Sequence, residues 1–387
     1  MAYHTTILRQ MLQLVSRLEF QSIVMRHAGD YRARKLRCWD QFVYLLIGQL
    51  GNRNSLRETI SASDSLLTKL YHLGAIRLCR STLSDANNKR PFEIYRDLFF
   101  RTLQKVEMVA PKHKLKLPRK LFVMDSTTID LCLKLFPWAR FRKTKAAVKI
   151  HTVLQVDGLL PTFLHISDGK MHDAKAARKL KVPEGSFVVF DRGYNDFCLF
   201  KSFTDSNIRF VTRKKSNAKF RTLKSRSVEP ETGVLSDEII EFTGHASKQK
   251  YPNQLRLVRY HDQENNKMFT FLTNDFELDA KTIADIYKAR WEIELFFKTV
   301  KQNLKIKRFM GTSRNAVMTQ IWIAMVVYLL TSYYKFLHQA KASIQTILRL
   351  IQINLFERKP LKDLIECNLQ KPPEISGSRQ CSFLTGH

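Results

Sequence analysis

Cysteine is scarce in this chain, and its spacing argues against a structural zinc site. The six cysteines are spread from position 38 to position 381, and none belongs to a Cys-x-x-Cys pair or to a Cys/His cluster with zinc spacing. We therefore expect free thiols in a reducing compartment.

Segments that would direct the chain to a membrane are also lacking. The N-terminus, M-A-Y-H-T-T-I-L-R-Q, has no apolar signal-peptide core. Residues 321–330 are all apolar, but ten residues are too few to span a bilayer, and Gln320 and Thr331 flank them. This run predicts a buried helix, and the whole sequence predicts a cytoplasmic protein without a membrane partner.

Acidic residues are few relative to basic ones. The 387 residues include 65 Lys and Arg against 35 Asp and Glu, for a formal charge of +30. This excess is spread along the chain, which favours a folded surface that binds a large polyanion, most simply nucleic acid. A basic membrane-surface protein or a ribosome-associated factor is the alternative. With 44% hydrophobic residues, the chain can build two or three folded domains.

The first 110 residues predict a helical N-terminal domain. An apolar helix is expected over 38–50, and another over 65–73 that ends at Gly74. Ser81 is expected to cap a short polar helix within 80–90. This helix is either a helix-turn-helix reader of DNA or an ordinary turn in a helical domain. The basic, proline-containing segment 111–120 predicts a linker.

From residue 121 onwards the pattern predicts an α/β fold. Short apolar runs at 121–124, 148–156, 160–166, 186–190 and 208–212 predict strands, with helices near 173–180 and 196–204. A β-rich insertion is expected over 213–275, which starts with a basic stretch at 213–226. The catalytic core would then comprise 121–212 and 276–316. Residues 317–371 predict C-terminal helices that could serve in dimerisation, and 372–387 predict a polar tail.

Two aspartates follow buried strands of this predicted core. Asp125 comes after F-V-M and Asp191 after V-V-F. If these strands are neighbours in an open sheet, both carboxylates lie at its ligand-binding edge, within reach of a shared Mg²⁺. The alternative is structural, because a lone Asp at a strand end commonly caps the following turn.

One helical stripe carries a further carboxylate together with cationic side chains. In the stretch Tyr287–Lys301 the helical period places Tyr287, Arg290, Glu294 and Lys301 on one face, and Lys298 joins them. Glu294 is the natural third metal ligand, and the cations beside it would hold phosphates. The alternative is a solvated face in which Arg290 and Glu294 form an ordinary i,i+4 pair.

These motifs together resemble bacterial insertion-sequence transposases with a DDE triad, of the family marked by Tyr-x₂-Arg-x₃-Glu-x₆-Lys. That signature corresponds to Tyr287, Arg290, Glu294 and Lys301, with D-S-T at 125–127 and D-R-G-Y at 191–194. The resemblance implies an RNase H-like core, with Asp125, Asp191 and Glu294 as catalytic ligands of two Mg²⁺ ions, which Mn²⁺ could replace. It also implies cut-and-paste transposition through a DNA hairpin, by a homodimer that binds double-stranded terminal repeats and target DNA in the nucleoid.

Further DNA contacts are expected from basic and aromatic residues near the acids. The set comprises Tyr287, Arg290, Lys298, Lys301, Arg140, Arg142, Lys143, Lys145, Arg192, Tyr194, Arg213, Lys214 and Lys215. Some relatives stack an extruded base on a Trp of the insertion, but 213–275 contains no Trp, so that role stays unassigned. His172 and Asp173 either support the site or cap a helix, and the capping interpretation is preferred. A plain Mg²⁺ nuclease and a non-catalytic DNA-binding relative are the competing functions.

Overall fold

The computed structural model describes residues 5–66, 69–171, 173–216, 218–304, 306 and 308–367, and the predicted tail at 372–387 lies outside these ranges. The helices are α1 Ile7–Gln13, α2 Arg17–Arg26, α3 Cys38–Leu50, α4 Leu56–Asp64, α5 Arg80–Lys89, α6 Glu93–Glu107, α7 Asp173–Ala177, α8 Phe197–Asp205, α9 His245–Lys250, α10 Ala280–Lys288, α11 Trp291–Asn303, α12 Arg314–Leu337, α13 Ile344–Asn354 and α14 Leu361–Cys367. The strands are β1 Leu121–Leu131, β2 Ala146–Gln155, β3 Leu160–Asp168, β4 Phe187–Phe190, β5 Arg209–Arg213, β6 Phe220–Arg226, β7 Val234–Phe242, β8 Leu255–Asp262 and β9 Lys267–Thr273.

A single sheet with the order β3-β2-β1-β4-β5-β9-β8-β7-β6 organises the α/β part. Strands β1, β2 and β3 form an antiparallel meander, whereas β4 pairs in parallel with both β1 and β5. Parallel neighbours need crossover connections, which the segments containing α7 and α8 supply. Three antiparallel strands followed by two parallel ones form the RNase H-like core, so the predicted fold class is confirmed.

The predicted insertion extends this sheet. Strand β9 pairs antiparallel with β5, and β8, β7 and β6 continue outwards from it. The basic stretch at 213–226 was not expected to contain a strand, but β6 occupies its second half as the outermost, largely exposed strand. Edge strands bury little, so the apolar alternation that would predict them is weak.

The two faces of the sheet carry separate cores because side chains alternate along each strand. Leu121 and Val123 of β1 belong to a core shared with α10, α11 and α12. Phe122 and Met124 point to the other face, into a core with α8. The side chain of residue 125 therefore lies on the α10–α11 side.

Helix α12 is the centre of the helical layer. Among the described residues it is the helix long and apolar enough to cross a membrane, but 94% of its most apolar window is buried within the protein. It packs against α3, α5, α6 and α13, and Phe99 of α6 lies 5.3 Å from the ring of Trp322. The prediction of a buried helix at 321–330 is confirmed, and the N-terminal helices share one core with the C-terminal ones.

Two local predictions in the N-terminal helices are wrong. The helix expected over 65–73 is displaced: α4 ends at Asp64, and a short 3₁₀ helix at Leu70–Leu73 stops at Gly74, which has a φ of 67°. Ser81 lies inside α5, and Cys79 occupies the cap position. The sequence signals for helix ends tolerate such shifts because several polar residues in a row can serve as a cap.

Part of the polar face of α5 is covered by the protein itself, although Asn88 and Lys89 are exposed. Asn87 is buried and accepts a hydrogen bond of 2.8 Å from Gln41. Asn88 accepts a hydrogen bond of 2.6 Å from the hydroxyl of Ser313, at the start of α12. These contacts favour the structural alternative for the 80–90 segment over a DNA-reading helix.

Candidate active site

Asp125 and Asp191 emerge side by side from neighbouring parallel strands. The last pair of the β1–β4 ladder is Met124 with Phe190, and each acid is the next residue. The expected adjacency of the two strands is therefore observed. One detail differs, because β1 does not end at Asp125: only its parallel pairing with β4 ends there, and β1 continues beside β2 to Leu131.

Glu294 approaches this pair from above the sheet, on α11, which packs against β1. The continuous helix expected from Tyr287 to Lys301 is wrong. Helix α10 ends at Lys288, and α11 starts at Trp291 after a break at Ala289 and Arg290. Tyr287 and Glu294 therefore belong to different helices, although both face the aspartates.

Two arginines hold the three carboxylates. Arg290 lies 2.9 Å from Glu294 and 3.9 Å from Asp125, measured between guanidinium nitrogens and carboxylate oxygens. Arg213 of β5 lies 2.8 Å from Asp191. The predicted i,i+4 pair of Arg290 and Glu294 is thus present, but it is part of a larger group of charges and not a solvated surface pair.

The two aspartates titrate in opposite directions. Burial raises the pKa of Asp125 to about 6, although the Ser126 N–H and the nearby Arg290 oppose this effect. Burial also acts to raise the pKa of Asp191, but the hydrogen bond from Arg213, the Arg192 N–H and the charges of Arg213 and Arg290 together outweigh burial and hold that pKa below its usual value. The site thus pairs one carboxylate of raised pKa with one of lowered pKa. An additional positive charge nearby would stabilise the ionised form of both.

The donors suit a divalent metal, although the three acids are not gathered around one point. Carboxylate oxygens are the ligands of hard cations such as Mg²⁺. Within the described ranges, no three His, Cys, Asp or Glu side chains lie at metal-binding distances. The reason is visible in the geometry, since Arg290 bridges Asp125 and Glu294. Also among these residues, the buried Nε–H groups of Arg213 and Arg290 have no hydrogen-bond partner, so the site retains unused donors.

Comparison with known proteins identifies the family that carries this site. Residues 116–330 match the family model described as a transposase DDE domain. The chain belongs to the DDE transposase family. Residues 3–76 match a second model, a domain of unknown function named DUF4372. Members of the DDE family catalyse metal-dependent DNA cleavage and strand transfer.

Several bacterial relatives are similar over most of their length. A putative transposase of Sinorhizobium fredii is 30% identical over 77% of this chain and 82% of its own. A probable transposase for the insertion sequence element IS5377 of Geobacillus stearothermophilus is 29% identical over 84% of each chain. A solved piggyBac transposase synaptic complex with hairpin DNA aligns at 13% identity and a TM-score of 0.48, over 95% of this chain and 82% of that one.

The transposase has a second polar cluster beside Asp125, on the opposite face of the sheet. Asp173, at the start of α7, accepts a hydrogen bond of 2.7 Å from the Ser126 hydroxyl and lies 2.7 Å from the Lys149 ammonium. Its carboxylate also lies 3.5 Å from the buried His151. Burial acts to raise the pKa of Asp173, but the hydrogen bonds from Lys149 and Ser126 prevail and lower it. These contacts favour support of the site over helix capping, while His172 lies outside the described residues.

Two aromatic residues predicted to contact DNA are buried in the transposase. Tyr194 is 2% exposed, with its ring 6.4 Å from that of Phe190, so a bound duplex cannot reach it. Tyr287 is 5% exposed, and its hydroxyl points to Asp191 at 3.4 Å. In this arrangement neither side chain presents a surface to DNA, because each fills the core next to a catalytic candidate.

The basic residues divide into exposed and engaged groups. Those with exposed side chains are Arg140, Arg142, Lys143, Lys145, Arg192, Lys215 and Lys298. The partly buried ones are Arg213, Lys214, Arg290 and Lys301. Arg213 and Arg290 were predicted as DNA contacts only, and their pairing with the acids could have been anticipated for Arg290 alone, from its i,i+4 spacing to Glu294.

Proposed function

We propose that this transposase cuts insertion-sequence DNA at its terminal inverted repeats and joins the freed ends to target DNA, with Asp125, Asp191 and Glu294 as its catalytic acids. The observation that carries this proposal is the placement of Asp125 and Asp191 side by side at one sheet edge, with Glu294 joined to Asp125 through Arg290. Asp125 and Asp191 follow paired residues of β1 and β4, and Arg290 links Asp125 to Glu294. Membership of the family supports DNA as the binding partner. That the bound DNA comprises the terminal repeats and a target site is part of the proposal.

The three carboxylates would hold two Mg²⁺ ions, for which Mn²⁺ could substitute. When bound, such ions activate a water or a 3′-hydroxyl and stabilise the leaving oxygen of a phosphodiester displacement. The chain's own contribution is to orient the ligands. The Ser126 N–H fixes one oxygen of Asp125 at 2.8 Å, and Arg213 fixes Asp191.

DNA would lie across the edge of the sheet that carries the acids. The turn between β1 and β2 projects four exposed cations there: Arg140, Arg142, Lys143 and Lys145. Lys298 and Lys301 continue the positive surface along α11. Such cations bind phosphates without reading sequence, so the selection of the terminal repeat falls to other parts of the chain. The N-terminal residues 1–110 are the candidate end-binding domain.

The remaining features of the proposal come from the family resemblance. They are a DNA hairpin intermediate, a homodimer that holds both ends, and a cytoplasmic, nucleoid-associated location. Helix α12 is buried within one chain, so a dimer contact on the C-terminal helices would have to use α13 or α14. The domain boundaries at 111–120, 213–275 and 317–371 are part of the same proposal.

A plasmid excision assay tests this function. Purified protein and Mg²⁺ are incubated with a plasmid in which the element's own terminal repeats flank a marker, and the products are sequenced. Excision followed by joining to a target supports the transposase proposal. Nicking without joining supports a nuclease, and binding without cleavage supports a non-catalytic relative, and either result contradicts the proposal. Hairpin-ended fragments among the products would establish the hairpin route.

A further inference from the structure

Arg290 contacts two of the three acids proposed as metal ligands. One guanidinium nitrogen lies 2.9 Å from Glu294, and the other lies 3.9 Å from Asp125. A guanidinium between two carboxylates fills the space that a shared cation would need. Among the described residues no group of three metal-ligating side chains is formed. In this arrangement the site is therefore closed around an internal cation.

The surroundings of Arg290 keep it in place and leave it a free donor. Its guanidinium carbon lies 5.9 Å from the ring centre of Tyr287 and 5.4 Å from that of Trp291. The side chain is only 12% exposed. Its buried Nε–H has no hydrogen-bond partner within the described part of the chain. This N–H can donate a hydrogen bond to a further anion, and a phosphate has the geometry that a guanidinium fork prefers.

We propose that Arg290 gates the metal site: it neutralises Asp125 and Glu294 in the DNA-free chain, and a bound DNA phosphate draws it away so that these carboxylates can take the metal. This inference rests on the proposed metal-ligand role of the acids and adds a regulation of that site. A phosphate and a divalent cation then favour each other's binding. The phosphate withdraws Arg290, which competes with the metal for the carboxylates, and the metal occupies the carboxylates, which compete with the phosphate for Arg290. Linkage requires that DNA and metal strengthen each other's binding equally.

Metal binding in the absence of DNA gives the first test. Mn²⁺ affinity is measured from the free-ion signal in electron paramagnetic resonance, on the full chain at neutral pH. Arg290→Gln should bind Mn²⁺ about tenfold more tightly than the unmodified chain, within the range typical of coupled sites. Lys288→Gln is the matched control, because it removes an exposed cation two residues earlier on α10. Its affinity should stay unchanged, since exposed charges are screened by salt.

The second test adds DNA. The probe is a terminal-repeat duplex that already ends at the cleavage position and carries a 3′-dideoxy nucleotide, so that neither cleavage nor joining can occur. The duplex should raise the Mn²⁺ affinity of the unmodified chain and of Lys288→Gln by about the same factor as the arginine substitution. It should raise the affinity of Arg290→Gln much less, because the competing cation is already gone.

Several outcomes would overturn the gate. One is equal or weaker Mn²⁺ binding by Arg290→Gln, in a variant whose thermal unfolding remains cooperative. Another is a gain in Mn²⁺ affinity that persists when Glu294→Gln is combined with Arg290→Gln, because release of the Glu294 carboxylate could then not be the cause of the gain. If Arg290→Gln does not fold, Arg290→Lys replaces it and should show a smaller gain, because an ammonium cannot bridge two carboxylates as a fork does. If Asp125→Asn and Asp191→Asn leave Mn²⁺ binding unchanged, the metal-site assignment itself fails, which is distinct from failure of the gate alone.

Discussion

Arg213 and Asp191 form an ion pair of 2.8 Å across the neighbouring parallel strands β5 and β4. Burial raises the Asp191 pKa, and Arg213 is the foremost of the groups that together lower it below its usual value. The pair thereby keeps a carboxylate ionised in a partly buried position. Arg213 also lies 5.9 Å from the ring centre of Tyr287, whose hydroxyl faces the same acid.

Removing this arginine should make cleavage more sensitive to acid. In Arg213→Gln the pKa of Asp191 rises, because the strongest of the contacts that oppose burial is lost, and a protonated carboxyl cannot hold a divalent cation. We expect the acidic limb of the pH–rate profile to move to higher pH. Lys214→Gln, one residue later, is the control, and it should weaken DNA binding without moving the limb. Identical limbs in the Arg213 variant and the unmodified chain would contradict this assignment.

Asp125 should cost stability in the metal-free protein. Its pKa rises from 3.8 to about 6 on folding, so between these values the native state binds more protons than the unfolded state. The free energy of unfolding therefore falls as pH rises through this window, and the loss persists at neutral pH. Asp125→Asn should accordingly raise the free energy of unfolding by about 1–3 kcal/mol at pH 7.5 in EDTA.

Denaturant unfolding measures this effect, with Asp130→Asn as the control because Asp130 is an exposed acid of the same strand. The difference between Asp125→Asn and the unmodified chain should shrink as the pH is lowered below about 4, where both states are protonated. A destabilised Asp125→Asn variant at neutral pH would show that the ion pair with Arg290 outweighs burial.

Asp173 should matter for cleavage without touching DNA. It binds Ser126, the residue whose N–H orients Asp125, and it pairs with the partly buried Lys149. We expect Asp173→Asn to lower the cleavage rate by about 10- to 100-fold, the range for residues that orient metal ligands. The affinity for terminal-repeat DNA should stay unchanged, as measured by a mobility-shift assay.

A suitable control for Asp173 is Asp196→Asn, because Asp196 caps α8 nearby and pairs with the exposed Arg178. It should leave stability nearly unchanged, because Asn caps a helix about as well as Asp does. If Asp173→Asn cleaves as fast as this control, the hydrogen bond to Ser126 has no part in positioning Asp125.

The sheet extension depends on one buried ion pair. Arg256 and Asp237 are 1% and 4% exposed, and two hydrogen bonds of 2.8 Å join them. Arg256 also donates to the carbonyl of Leu278, just before α10. Arg256→Met should lower the free energy of unfolding by about 3–5 kcal/mol, because it leaves a buried carboxylate without its partner.

Thermal and denaturant unfolding check this, with Arg259→Met as the control on the exposed side of β8. The double variant Arg256→Met, Asp237→Leu should recover part of the loss, since it removes both charges. A double variant less stable than Arg256→Met would mean that the pair contributes through its links to other groups, such as Arg226.

Much of this site follows from local sequence signals. Asp125 and Asp191 are each indicated by the short buried run that precedes them, and their proximity follows if the two runs pair as neighbours in the sheet. Glu294 was assigned from its spacing to Tyr287 and Arg290. Both signals depend on residues close in sequence, where backbone geometry fixes the relation between side chains.

The rest depends on contacts between distant residues. No glycine or proline marks the break between α10 and α11, so the helical period runs through it unnoticed. The partnership of Asp173 with Lys149 and Ser126 links three separate elements. The sequence position of Tyr194 is compatible with either an exposed or a buried side chain. Its packing against Phe190, which the sequence does not reveal, buries it. The edge strand β6 lacked an apolar pattern because it buries little surface.

End cleavage by triad variants is the decisive test of the catalytic roles of Asp125, Asp191 and Glu294. Asp125→Ala, Asp191→Ala and Glu294→Ala are compared with Glu292→Ala, a neighbouring glutamate that lies on the opposite side of α11, toward the linker at 111–114. Each reaction contains Mg²⁺ and a labelled terminal-repeat duplex, and binding of the same duplex is measured in parallel. We expect no cleavage by the three triad variants, near-normal binding by all, and normal cleavage by Glu292→Ala. Cleavage by any triad variant at the unmodified rate, or loss of binding and folding in all three, would contradict these catalytic roles.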